Sequence, residues 1–190
     1  ECGEAPYKEY LLQYADKYIG VDWTNTLHNS KADVLSNLNE KVNLPDEYAD
    51  TVVSLSVIEH LFEPQAFLNE CYRIMKKGGT LVLQAPFQWW IHEAPYDYFR
   101  YTPYAFKYML DKAGFVDIKI EPQSGFFTMW LLKFNYFTLR FIKDPKPFRT
   151  IIKFILWIIW NLNQFTAPLL DKLDKQWNLE TSGYFVIAKK

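Results

Sequence analysis

Apolar positions along the chain alternate between two spacings. Around residues 50–55, Val52, Val53 and Leu55 form a short run rich in β-branched residues, which predicts a buried strand. Over 64–76, Phe67, Leu68, Cys71, Tyr72 and Met75 recur at the spacing of one helix face, with Pro64 at the start and Lys77-Gly78-Gly79 as a stop. Residues 80–84 predict the next strand, ended by Pro86. Thr102 predicts an N-cap for a helix over 103–113, Gly114 its end, and 115–121 and 184–188 two further strands. Upstream, the pattern gives a helix over 4–15, with Pro6 near its start, and short extended pieces at 18–22 and 31–35. Alternating helix and strand indicates an α/β domain with a mostly parallel sheet. Residues 87–101 read as an irregular aromatic loop, and 123–181 as an insertion with helices of its own, too long for a plain loop.

Composition narrows the classes. A length of 190 residues fits one domain, and 49% apolar residues suffice for one sizeable core. The net charge of −1 argues against a nucleic-acid partner. Cys2 and Cys71 are too few for a disulfide framework and lack metal-ligand spacing, which fits a reducing cytoplasm. Residues 1–10 contain no apolar run of the signal-peptide kind. Aromatic residues reach 18%, an excess that suits a binding groove, a partner surface or a membrane interface. Residues 126–160 hold six basic residues against the single acid Asp144. The apolar run 151–162 falls short of the ~20 residues that span a bilayer. The insertion is therefore expected to be a lid, a dimer interface or, through 126–165, a peripheral membrane contact, which would place the chain at the inner face of the membrane.

Four stretches in order resemble class I S-adenosylmethionine-dependent methyltransferases of the type 11 branch. They are Glu1-Cys2-Gly3-Glu4-Ala5-Pro6-Tyr7, Tyr18-Ile19-Gly20-Val21-Asp22, Tyr48-Ala49-Asp50 through Glu59-His60-Leu61, and Glu70 through Leu81 with its Lys76-Lys77-Gly78-Gly79. The stretch from Tyr98 to Phe115 adds a fifth match, and the resemblance covers residues 1–121 and 183–190. It implies a Rossmann-like three-layer sandwich with strand order 3-2-1-4-5-7-6, a C-terminal antiparallel strand and a helical insertion. The chain opens inside the family's glycine-rich turn, with Glu1 where a glycine is expected, so residues 1–190 read as a single methyltransferase domain lacking its first strand.

The resemblance also implies a cofactor, S-adenosylmethionine, and roles for particular residues. Asp22, at a strand's C-terminal end, would accept both ribose hydroxyls, with Trp23 covering the adenine. Asp33 and the Val34 backbone would read the adenine; Cys2 and Gly3 would approach the methionine end; Ser54 and Leu55 would border the sulfonium. His60 would serve as base for a poorly nucleophilic acceptor, against the plainer reading that it packs at a helix start. Trp90, His92, Tyr96, Tyr98 and Arg100 would bind a small-molecule, glycan or lipid-linked acceptor. Glu59, His60 and His92 raise the question of a metal, as in relatives with Glu-x-x-Glu-His, but Ser56 stands at the first of those positions, so no metal is expected. A non-catalytic binding or scaffold domain is the alternative, motivated by Glu1.

Overall fold

The structure, a computed structural model, describes residues 3–23, 30–142 and 146–190. Its elements are α1 (Lys8–Leu11), β1 (Val21–Asp22), β2 (Val34–Leu35), β3 (Ala49–Leu55), α2 (Pro64–Ile74), β4 (Met75–Pro86), α3 (Pro103–Ala113), β5 (Val116–Pro122), α4 (Phe126–Thr138), α5 (Lys146–Asp171) and β6 (Gly183–Lys189). Two compact units divide them. One comprises residues 1–86, 90–121 and 185–190, the other 87–89 and 122–184.

In the first unit β1 and β2 form a parallel pair, and a four-stranded sheet runs in the order β3-β4-β6-β5. Strands β3 and β4 are parallel. Strand β6 runs against β4, since Gly78 donates to the Lys190 carbonyl at one end and Phe87 to that of Ser182 at the other. In the order 3-2-1-4-5-7-6, β2-β1 supplies the positions 3-2 and β3-β4-β6-β5 the positions 4-5-7-6.

Strand β4 alternates strictly, with Leu81, Leu83 and Ala85 fully buried and Val82 and Gln84 less so; Val186 and Ala188 of β6 repeat the pattern. Helix α2 buries Phe67, Leu68, Cys71 and Ile74, and α3 buries Phe106 and Leu110. Helix α3 matches its predicted bounds. The Thr102 hydroxyl accepts from Ala105 N–H at 3.2 Å, and Gly114 closes the helix at φ 100°.

Helix α2 ends earlier than its sequence predicts, at Ile74. Met75 turns extended and pairs with Ala49, and the next paired residues are Thr51 and Thr80. Residues 76–79 thus bulge opposite Asp50 alone. Gly78 takes φ 76°, and Gly79 lies so close that a Cβ would stand 2.8 Å from the Lys76 carbonyl oxygen. The two glycines shape an entry into the strand rather than a helix stop. The helix expected over 4–15 contracts to α1, and β1 and β2 contract to two residues each.

In the second unit α5 packs against α4. Trp160 Nε1 donates to Thr138 Oγ1 at 2.9 Å, and Asn163 Nδ2 to Asn135 Oδ1 at 2.7 Å. The buried carboxylate of Asp171 accepts from the N–H groups of Gly125 (3.0 Å) and Phe127 (2.8 Å) at the start of α4, where the helix leaves donors unpaired. Among the described residues no helix is long and apolar enough to cross a membrane.

Candidate active site

Asp22 ends β1 and is 3% exposed. Its Oδ2 accepts from Gly3 N–H at 2.8 Å and from Ser30 Oγ at 3.1 Å, and its Oδ1 from Trp23 N–H at 2.8 Å. The carboxylate thus ties the glycine turn to the strand end. Gly3 sits at φ 49°, with nothing among the described residues within 4 Å of where a Cβ would lie. Cys2 lies outside the described residues.

Asp33 and Val34 lie beside that pair. Both of their N–H groups donate to the Gly20 carbonyl, at 2.8 and 3.0 Å. Asp33 Oδ2 accepts Gly20 N–H at 2.8 Å, while its Oδ1 faces Lys8 at 3.8 Å. The Val34 N–H proposed for adenine is thus engaged within the chain. At the end of β3, Ser54 is buried and its hydroxyl has no hydrogen-bond partner among the described residues, while Leu55 is half-buried.

The turn after β3 concentrates the chemistry. Residues Ile58–His60 form one 3-10 turn in which all three are buried. The Tyr101 hydroxyl donates to the Ile58 carbonyl at 3.0 Å, and Tyr98 and Phe99 N–H groups donate to the Glu59 carbonyl. His60 Nδ1 lies 2.8 Å from the Tyr96 carbonyl oxygen. A carbonyl only accepts, so Nδ1 carries the proton and the neutral ring presents a bare Nε2. Burial pulls His60 below its ordinary pKa, against the opposing pull of that hydrogen bond and of Glu93, which favours this neutral form.

Glu59 is 0% exposed, and neither carboxyl oxygen has a hydrogen-bond partner among the described residues. Burial pushes its carboxyl up to about 7. His60 Nε2 approaches Glu59 Oε1 to 3.7 Å and His92 Nε2 approaches it to 4.0 Å, while the two imidazoles meet edge to face at 4.8 Å. One donor atom from each of the three lies within 4.8 Å of the others, near enough to share a cation through N and O ligands.

His92 is positioned by Asp97, whose Oδ2 accepts His92 N–H at 2.9 Å. Arg100 clamps the same carboxylate with both terminal nitrogens, at 2.5 and 2.8 Å, and also donates to the Trp90 carbonyl at 3.0 Å. Burial alone would raise Asp97, but the Arg100 and His92 hydrogen bonds outweigh it and hold the carboxyl down to about 2. Arg100 thus shapes the loop, while its buried Nε has no hydrogen-bond partner among the described residues. The Trp23 indole meets the Tyr96 ring edge to face at 5.3 Å, and its Nε1 is buried with no hydrogen-bond partner among the described residues. Trp90 is 40% exposed and Tyr98 44%, the latter beside Phe62.

One unit thus gathers Asp22, Trp23, Tyr96, His60 and His92, with Ser54 at the end of the neighbouring sheet's strand β3. Sequence reasoning did not assign Glu93 or Asp97 to the site. Asp97 carried one signal, its placement three residues before Arg100.

Residues 2–83 match the sequence family described as "Methyltransferase domain". A Mycolicibacterium smegmatis protein named a probable S-adenosylmethionine-dependent methyltransferase is 31% identical over 91 residues, 45% of this chain and 35% of that protein. The 2-methyl-6-phytyl-1,4-hydroquinone methyltransferase of Spinacia oleracea is 33% identical over 86 residues, 43% of this chain and 25% of that one. The chain thus spans about a third or less of the length of these curated relatives. Among solved structures, a SAM-dependent methyltransferase from Archaeoglobus fulgidus aligns with 100% of this chain and 83% of its own, at TM-score 0.59 and 23% identity. The [4+2]-cyclase SpnF aligns with 100% of this chain and 72% of its own, at TM-score 0.52 and 14% identity.

The fold is Rossmann-like, shared with the solved S-adenosylmethionine-dependent methyltransferase it aligns with. Residues 2–83 are similar in sequence to the methyltransferase domain family.

Proposed function

We propose that the chain transfers a methyl group from S-adenosylmethionine to a small-molecule, glycan or lipid-linked acceptor. The observation that carries this reading is the buried Asp22 carboxylate at the end of β1, bonded to Gly3 N–H at the glycine turn. The donor set fits the cofactor. A carboxylate suits a ribose diol, and the partnerless Ser54 hydroxyl and Trp23 indole N–H are buried polar groups of the kind a ligand would satisfy. Asp22, Gly3, Trp23 and Ser54 would hold the nucleoside, which supplies an electrophilic methyl group when bound. His60 would take the proton of a hydroxyl acceptor at Nε2, with Tyr96 fixing the ring's tautomer. Trp90, Tyr96 and Tyr98 would offer flat apolar faces to the acceptor. A ring bearing a lipid tail is one acceptor chemistry among these relatives, since the Spinacia protein is named for such a hydroquinone.

Calorimetry with S-adenosylhomocysteine tests the cofactor half. Asp22→Ala should weaken binding roughly tenfold to a hundredfold, as expected for lost charge-assisted hydrogen bonds. Equal affinity in parent and variant would overturn the placement. Labelled methyl transfer to quinols, glycans and lipids tests the rest. A fold neighbour named as a cyclase shows that this fold hosts other chemistry, so binding without transfer to any acceptor would favour the non-catalytic reading. Chelator treatment separates two uses of His60. Turnover unchanged by chelator supports the base, whereas turnover lost and restored by added divalent ion makes Glu59, His60 and His92 ligands.

A further inference from the structure

Helix α5 has two apolar faces, and among the described residues only one of them is packed. Leu156, Ala167 and Asp171 are buried, on the side where Trp160 and Asn163 bond to α4. On another face Phe148, Ile151, Ile155, Ile158, Leu162 and Phe165 recur at spacings of three and four, and each is at least 41% exposed. Helix α4 adds exposed Trp130 and Phe137, and the 3-10 turn Leu139–Phe141 that follows it adds Phe141. Helices apolar on more than one face belong in a protein core or a lipid environment, and exposed apolar stretches of this extent mark a contact surface.

Charge says which contact. Six of the chain's 21 Lys and Arg, but only one of its 22 Asp and Glu, fall within residues 126–165. That leaves +5 on this segment and −6 on the remainder of the chain. A second copy seated on the stripe would bring two such positive segments together, and no glutamate lies within the segment to pair with them. An anionic surface meets no such repulsion. Aromatic residues stand among the cations, and Arg140 lies over the Phe137 ring at 5.3 Å, a mixture suited to the headgroup level of a bilayer.

We propose that the α4–α5 helical unit docks on the surface of an anionic lipid bilayer. The exposed stripe of α5 enters the headgroup boundary, and Lys133, Arg140, Arg149 and Lys153 face the lipid phosphates. The inference stands apart from methyl transfer and holds whether or not the chain is an enzyme. Its test is sedimentation of the full chain with vesicles of phosphatidylcholine alone or mixed with phosphatidylglycerol. At low salt, binding to the anionic vesicles should be at least ~tenfold tighter, with a blue shift of tryptophan fluorescence, and high salt should remove most of the difference. Replacing Lys133, Arg140, Arg149 and Lys153 by Gln should bring anionic binding down to the neutral level. The double variant Ile155→Ser, Phe165→Ser should weaken binding to both vesicle types, with an unchanged circular dichroism spectrum confirming its fold. Equal binding to neutral and anionic vesicles overturns the proposal. So does a dimer in sedimentation velocity that binds no vesicles, which would make a second copy the occupant.

Discussion

Glu59 lies at the centre of the candidate site with its carboxyl sealed from water and no hydrogen-bond partner among the described residues. Its pKa is raised from the ordinary 4.5 to about 7, so between those values the unfolded chain ionises while the folded chain keeps its proton. Its contribution to stability therefore falls as pH rises through this window, by roughly 3 kcal/mol, and stays low above it. Glu59→Gln removes the titration. The variant should melt above the parent at pH beyond about 7, with the gap closing towards 4.5; melting curves across pH in chelating buffer check it. His60 works in the opposite sense. Its folded pKa is lowered, so its contribution is present above the ordinary 6.5 and is lost as pH falls below that value. The residue types of this site were legible in the motif Glu59-His60, whereas the pairing of Arg100 with Asp97 emerges only in the folded loop. The burial of Glu59 was not legible, because it depends on Tyr98, Phe99 and Tyr101 folding back onto the turn from forty residues away.

Single groups secure the ends of the helices. Gly114 closes α3 at φ 100°, and an added Cβ would lie 3.2 Å from the Tyr72 ring. Gly114→Ala meets both obstacles, left-handed backbone and a packed aromatic, and should cost about 1–3 kcal/mol in denaturant unfolding. In the second unit, Asp171 from the end of α5 accepts N–H groups at the start of α4. Asp171→Ala leaves those donors unpaired and should lower stability by about 2 kcal/mol; Asp171→Asn should lose less. Hydrogen exchange should show the loss first in α4. Helix α3 was readable to the residue because its two signals, Thr102 and Gly114, act through local geometry. The end of α2 was misread because Met75 gains a pairing partner, Ala49, that helical periodicity does not reveal.

Across the first unit, Arg73 fastens the segment after β2 to helix α2. It donates to the Val42 and Leu44 carbonyls, both at 2.9 Å, and to the carboxylates of Asp46 (2.6 Å) and Glu70 (2.7 Å). A lysine lacks the planar fork needed to reach these acceptors together. Arg73→Lys should therefore cost about 2 kcal/mol in urea unfolding, a loss larger than an exposed ion pair would give. The order of elements, the caps of α3, the strand-end carboxylate and the separation of basic from acidic residues were set by the sequence alone. Each follows from neighbours in the chain or from composition, and such properties survive without a fold. Tertiary structure decided which polar groups are sealed from water, which tautomer His60 takes, that Val34's N–H is engaged, and which face of α5 lies open. Those depend on groups distant in the chain approaching one another, and hydrophobic period carries no record of the partner.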